Sequence, residues 1–402
     1  MDESPTSVPV ASNASVLLIT NDFGPRAGGI ETFIIGLLER MPKGSCIVYT
    51  SSQEGSEEFD QKWLTQFGVE VVRDRSKILL PTPRVARRIK EILATRNITR
   101  LWYGAAAPLG LLNPTLKKFM RKNLNSEGSS RAIALTHGHE VWWAKIPPFS
   151  LALRIIARSL DQIGYLTTYT RTEISKGMSA SDQNKLRQIA PGIDVNHFRP
   201  SRDLDFERAF RQRHGVENKR LIISVGRLVH RKGQDRLIQA LPKILDEVPD
   251  AHLLLVGEGP HRKELDRIAA TVNVETAITF LGRLHLDDLP KHLGIADIFA
   301  MPSRDRLAGL EVEGLGIVYL EASSCALPVI AGKSGGAVDA LIDGETGLLV
   351  NGESIEEISS ACIRLLKERD FSAALGKRGS EWVRDQWSWD RWSAEFQDAL
   401  LG

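Results

Sequence analysis

Short, wholly apolar runs alternate with stretches of helical spacing from residue 15 to the end of the chain. In the first half Ser15–Thr20, Cys46–Thr50, Val69–Arg73, Arg100–Tyr103, Ala132–Thr136 and Gly164–Tyr169 predict strands. In the second half Leu221–Val225, His252–Val256, Ala277–Leu281, Ile298–Met301, Pro328–Ala331 and Gly347–Val350 do the same. Apolar character that is continuous rather than alternating suits parallel strands covered on both faces. Between the runs, Ile30–Met41 repeats apolar residues at Ile30, Phe33, Ile34, Leu37, Leu38 and Met41, and Ser354–Glu368 at Ile355, Ile358, Cys362, Leu365 and Leu366. That is the period of helices with one buried face. Strand–helix alternation of this kind implies doubly wound α/β sheets.

So many strands exceed what one such sheet usually carries, and two domains are expected. The turn-rich stretch Ala190–Pro200 divides them, followed by a charged helix around Asp205–His214. The expected division is a disordered lead-in over 1–14, a first domain over 15–196 joined by a returning C-terminal helix at 385–402, and a second domain over 197–384. Trp382, Trp387, Trp389 and Trp392 near the end are expected to pack back across the junction.

Composition narrows the class. Lys plus Arg is 52 against 50 for Asp plus Glu, a net charge of +2, which speaks against a nucleic-acid partner. The three cysteines, Cys46, Cys325 and Cys362, are too scattered for a disulfide framework and fit a reducing cytosol. No apolar run of about eighteen residues is present, and the polar, acidic start lacks the features of a signal peptide. A soluble, intracellular protein is expected.

Candidate chemistry sits at strand-to-helix turns. Asn21-Asp-Phe-Gly-Pro-Arg-Ala-Gly-Gly-Ile30 brings Asp22, Gly28 and Gly29 to a turn where backbone can approach an anion at a helix N-terminus, or which is an ordinary Gly-rich turn. Val225-Gly-Arg-Leu-Val-His-Arg-Lys-Gly-Gln-Asp235 sets Arg227 and Lys232 at the carboxyl edge of a sheet, where such folds bind ligands. Gly309-Leu-Glu-Val-Glu-Gly-Leu-Gly-Ile-Val-Tyr-Leu-Glu-Ala322 holds Glu313 and Glu321 around a Gly-rich loop. A helix dipole explains one acid near a helix start, but not both acids with both glycines. Ala134-Leu-Thr-His-Gly-His-Glu140 carries His137, His139 and Glu140; no third ligand follows at metal spacing, and no metal is expected. Asp203-Leu-Asp205 falls in the polar junction helix rather than at a sheet edge.

At these residues the chain, from Val16 to about Trp392, resembles the retaining glycosyltransferases of the GT-B fold, a large family that includes sucrose-phosphate synthase and the mannosyltransferases of cell-envelope lipids. The Gly28-Gly29 loop, the Arg227/Lys232 pair and the Glu313/Glu321 pair carry the resemblance. Leu80-Pro-Thr-Pro83, Gly104-Ala-Ala-Ala-Pro-Leu109 and the His137 motif look like the branch acting on phosphatidylinositol monomannoside. Leu315 stands where many members carry Phe, and Ala326 where Gly is more usual; neither touches a charged position.

The resemblance implies two Rossmann-like domains facing across a cleft. It also implies retaining transfer of mannose from GDP-mannose to the inositol 6-position of the lipid, in phosphatidylinositol mannoside biosynthesis. Arg227 and Lys232 would hold the diphosphate, Glu321 the ribose, and Glu313 the transferred mannose. Gly314, Leu315, Gly316 and Ile317 would contribute backbone contacts, and Leu284 would meet guanine. His137, with His139 the alternative, would lie near the sugar, while Asp22, Gly28 and Gly29 would face acceptor and diphosphate. No metal or prosthetic group is implied. Nine cations from Arg73 to Arg100 against two acids, with Lys117, Lys118, Arg121 and Lys122, suit an anionic membrane surface as well as a solvated face. A peripheral position on the inner face of the plasma membrane follows. The rival readings are a relative using another nucleotide sugar and a soluble acceptor, a nucleotide-sugar epimerase, and a pure nucleotide-binding module.

Overall fold

The computed structural model describes residues 14–26, 28–123, 130–138, 140–309 and 311–402. The expected lead-in up to residue 13 and His139 lie outside the described residues. The chain divides into two compact units, one of residues up to Leu166 with Thr170–Gly192 and Asp390–Gly402, the other of Thr167–Tyr169 and Ile193–Trp389.

The first unit is built on β1 (Val16–Thr20), β2 (Cys46–Thr50), β3 (Glu70–Arg73), β4 (Arg100–Tyr103), β5 (Arg131–Leu135), β6 (Gln162–Tyr165) and β7 (Leu186–Gln188). They pair in the order β3-β2-β1-β4-β5-β6-β7, all in parallel, with Val16 opposite both Cys46 and Arg100. The second unit carries β8 (Arg220–Val225), β9 (Ala251–Val256), β10 (Ile278–Gly282), β11 (Ile298–Met301), β12 (Val329–Gly332) and β13 (Gly347–Val350). These are again all parallel, in the order β10-β9-β8-β11-β12-β13. In both sheets the order reverses beside the first strand, between β1 and β4 and between β8 and β11. The crevice at the carboxyl ends of such a switch point is where α/β sheets take ligands.

Central strands are buried along their whole length, as continuous apolar runs require. Two expectations are corrected. The run Gly164–Tyr169 stops as a strand at Tyr165, because Thr168 begins a helix through Ser175. Strand β7 was not expected: Leu-Arg-Gln is half-buried at a sheet edge and shows no apolar run. Its Arg187 is satisfied by Glu395 and Asp398, each at 2.6 Å, on the last helix, Trp389–Leu401. From Asp390 onward that helix belongs to the first unit, with Phe396 fully buried 4.5 Å from the Trp102 ring. Among the four tryptophans near the C-terminus, Trp387 and Trp392 are buried. The expected helix at 354–368 runs Ile355–Lys367, with Ser354 accepting a hydrogen bond from the Glu357 N–H as its N-cap and Ile358, Cys362, Leu365 and Leu366 buried.

Candidate active site

In the second unit the residues singled out from sequence gather at the carboxyl edge around β8, β11 and β12. Arg227, two residues past β8, is exposed and makes no side-chain hydrogen bond or ion pair among the described residues. The loop then turns through His230–Lys232 to Gly233, whose φ is +75°. A Cβ there would lie 2.0 Å from the Pro302 carbonyl oxygen, so glycine lets this loop close on the one leaving β11. The turn buries Lys232 to 8% exposure and brings its Nζ to 2.8 Å from Glu313 Oε2. Arg231 Nε stands 3.8 Å from the same oxygen.

Glu313 is held through its main chain. Its N–H donates to Ser334 Oγ at 3.1 Å, Ser334 Oγ–H donates to Asp305 at 2.7 Å, and the Gly336 N–H donates to the Glu313 carbonyl at 2.8 Å. Gly316, with φ +73°, precedes the helix Ile317–Ser324 as its N-cap, and a Cβ there would lie 2.4 Å from the Tyr319 ring. The cap lends no side chain and the Tyr319 N–H donates to the Gly316 carbonyl at 2.9 Å, so the N–H groups of Ile317 and Val318 are the ones open to a ligand among the described residues. Tyr319 anchors the turn by donating to the Met301 carbonyl at 2.8 Å and sharing a hydrogen bond with Ser303 at 2.8 Å. The Leu315 side chain is buried, so this residue offers the site its main chain.

Glu321 lies on that helix, 8% exposed and without a side-chain hydrogen bond among the described residues. Burial pushes its carboxyl up to about 7, with the charge of Lys232 acting in the opposite direction. A buried carboxylate lacking donors is suited to receive hydroxyl groups from a ligand. Leu284 is half-buried two residues beyond β10, at the sheet's outer strand, with β9 between it and β8.

The first unit builds its own cluster at the switch point of its sheet. Asp22 follows β1, its N–H donating to Thr20 Oγ1 at 2.9 Å and its carboxylate 3.8 Å from Arg26. Arg26 Nε also donates to the buried Glu31 at 2.9 Å, within the helix Gly29–Leu38 that Gly28 caps. His137, after β5, has Nε2 2.6 Å from the Gly104 carbonyl after β4, and so carries its ring proton there. Its main-chain N–H donates to Glu140 at 2.9 Å, and its ring meets Phe33 edge-on at 5.8 Å. The loops after β4 and β5 and the helix beyond Gly28-Gly29 therefore meet at His137.

Sequence reasoning missed Ser334, Asp305 and Tyr319, whose contribution is hydrogen bonding to distant backbone rather than any local pattern. It also missed that Lys232 and Glu313 pair with one another. The basic run is less uniform than expected: Arg73 binds Asp60, Arg84 Asp74, Arg88 Glu91 and Arg96 Glu70, leaving Arg75, Lys77 and Arg87 among the exposed cations. A polar cavity of about 890 Å³, lined by Arg202, Arg220, Asp250 and Arg369 among others, opens at the amino ends of the second sheet, the edge opposite this site. Among the described residues no three His, Cys, Asp or Glu side chains gather as a metal site, and no helix is long and apolar enough to cross a membrane.

Two doubly wound parallel sheets, the second with cations, carboxylates and a helix N-terminus at its switch point, define the GT-B class of glycosyltransferases. The Anabaena HepE structure with UDP and glucose aligns with TM-score 0.74 at 18% identity, over 95% of this chain and 98% of that one. The chain belongs to the family described as glycosyl transferases group 1, which residues 205–382 match. It is 40% identical over 388 residues, 96% of this chain and 98% of the relative, to the Mycolicibacterium smegmatis protein named GDP-mannose-dependent alpha-(1-6)-phosphatidylinositol monomannoside mannosyltransferase. It is 38% identical over 382 residues, 95% of this chain and 96% of the relative, to the Corynebacterium glutamicum enzyme named for the monoacylated form of that acceptor.

Proposed function

We propose that this chain transfers mannose, with retention of configuration, from GDP-mannose to the inositol 6-position of a phosphatidylinositol monomannoside, as a peripheral protein on the inner face of the plasma membrane. The observation that carries the reading is the set of Arg227, Lys232, Glu313 and Glu321 around one switch point; near-full-length identity to relatives so named supports the donor and acceptor.

In this reading Arg227 and Lys232 hold the donor diphosphate and neutralise the charge growing on the leaving GDP, the main electrostatic demand of the reaction. Lys232 exchanges its contact with Glu313 for phosphate, freeing Glu313 for the hydroxyls of the transferred mannose. Glu321 takes the ribose hydroxyls, and the N–H groups from Gly314 to Ile317 complete the phosphate and sugar contacts. Leu284 meets the guanine edge through its main chain. Asp22, Gly28 and Gly29 face the acceptor and the diphosphate, and His137, its tautomer set by the Gly104 carbonyl, lies near the transferred sugar. The departing phosphate oxygen takes the acceptor proton on the front face of the sugar, so no carboxylate nucleophile is required, unlike a retaining glycosidase. The two cations supply the charge neutralisation that a metal supplies elsewhere, and transfer proceeds without one.

The test is mannose transfer from radiolabelled GDP-mannose to phosphatidylinositol monomannoside in vesicles, run beside UDP-sugars, without acceptor, and with a chelator. Labelled dimannoside formed with GDP-mannose alone, insensitive to chelation, is expected. Transfer from a UDP-sugar to a soluble acceptor, or sugar interconversion without acceptor, would replace the reading.

A further inference from the structure

Between Glu140 and Asp161 the chain carries no acidic residue. This stretch forms two helices, Glu140–Lys145 and Phe149–Ser159, in the first unit. The second buries Leu153, Ile156 and Ala157 on one side and leaves Leu151 59% and Ile155 44% exposed on another. Ile146 and Phe149 at the turn are exposed as well. Phe149 packs on the rings of Trp142 and Trp143, at 4.9 and 5.1 Å, so half-buried indoles back the ridge. Exposed Lys145, Arg154 and Arg158 rim it. The neighbouring helix, Asn113–Asn123, adds exposed Lys118, Arg121 and Lys122.

We infer that this ridge inserts into the headgroup–acyl boundary of an anionic bilayer, a contact distinct from the Arg73–Arg100 run. Aliphatic side chains in front, indoles behind and cations around match that boundary in depth and in sign. A second copy of the chain fits poorly, because a two-fold contact sets the exposed Arg154 and Arg158 of one copy against those of the other, while Lys145 is already paired with Glu173 at 3.2 Å. The inference rests on the lipid acceptor proposed above and adds how the enzyme meets it. Glu140, the first residue of the hairpin, holds the His137 N–H, so docking the ridge sets the His137 loop at headgroup height.

The experiment is partitioning of the full chain onto vesicles of equal phosphatidylglycerol and phosphatidylcholine, with tryptophan quenching by doxyl-labelled lipid. Wild type should bind, be quenched, and keep part of its binding at about 1 M salt, where surface attraction is screened to about 3 Å. Leu151→Glu combined with Ile155→Glu should lower partitioning at least about tenfold and abolish quenching. Both positions are exposed, so a native circular dichroism spectrum is expected, and turnover on a deacylated, water-soluble acceptor should be unchanged. Loss of binding in the variant upholds the ridge even if wild type transfers no mannose, which would instead defeat the function proposed above. Equal partitioning of the two proteins overturns the inference. So does a wild-type dimer that the variant dissolves while vesicle binding stays the same.

Discussion

Glu321 is a buried carboxylate without a side-chain hydrogen bond among the described residues, and burial pushes its pKa up to about 7 against 4.5 for an ordinary glutamate. The sign of the consequence follows from linkage: a group raised in the folded state contributes full stability below its unfolded pKa, and that stability is lost as pH rises through the folded value. The ligand-free protein should therefore lose stability between pH 4.5 and 7 on account of this one residue. Glu321→Gln removes the loss. In denaturant titrations the variant should match wild type near pH 4.5 and exceed it by up to about 3 kcal/mol at pH 8. A pH-independent difference would mean that Glu321 is not raised. The same substitution should weaken GDP and GDP-mannose alike, since both present a ribose.

At the scale of elements, loops are kept in register by backbone hydrogen bonds that residue types do not announce. Ser334 is 1% exposed and links the Glu313 N–H to Asp305. Ser334→Ala leaves that N–H buried without an acceptor, a cost of about 1–3 kcal/mol. On the proposed role of Glu313 toward the transferred mannose, it is expected to lower turnover about tenfold with GDP affinity nearly intact. Equal losses in turnover and GDP affinity would show that Ser334 supports the whole pocket. The central strands and the two site motifs were legible because burial on both faces demands apolar runs, and because Arg227, Lys232 and Glu313 each flank a glycine, with Glu321 about one helical turn beyond Gly316. Strand β7 was not, since an edge strand satisfied by Arg187 needs no apolar run. Nor was the Lys232–Glu313 contact, which exists only once the loops after β8 and β11 close on each other at Gly233.

On the scale of the whole molecule, the chain returns at its end to complete the first unit. Phe396 is fully buried on Trp102, and Ala399 and Leu400 are buried beside it on the same helix. Phe396→Ala should destabilise by about 3–5 kcal/mol in denaturant titrations; a change below about 1 kcal/mol would mean the last helix is dispensable to that core. The near-neutral total of +2 also conceals the exposed cations of the first unit's helices. The central claim is that the switch point of the second sheet stabilises a departing nucleoside diphosphate, and Arg227 isolates it: exposed and without a side-chain partner among the described residues, this side chain contributes little to the fold. Charge builds on GDP as the sugar bond breaks, so its attraction to Arg227 grows toward the transition state. The decisive measurement is turnover of Arg227→Ala with GDP-mannose and phosphatidylinositol monomannoside. A fall of roughly 100- to 1000-fold at unchanged thermal stability is expected, and near-normal turnover would contradict the account.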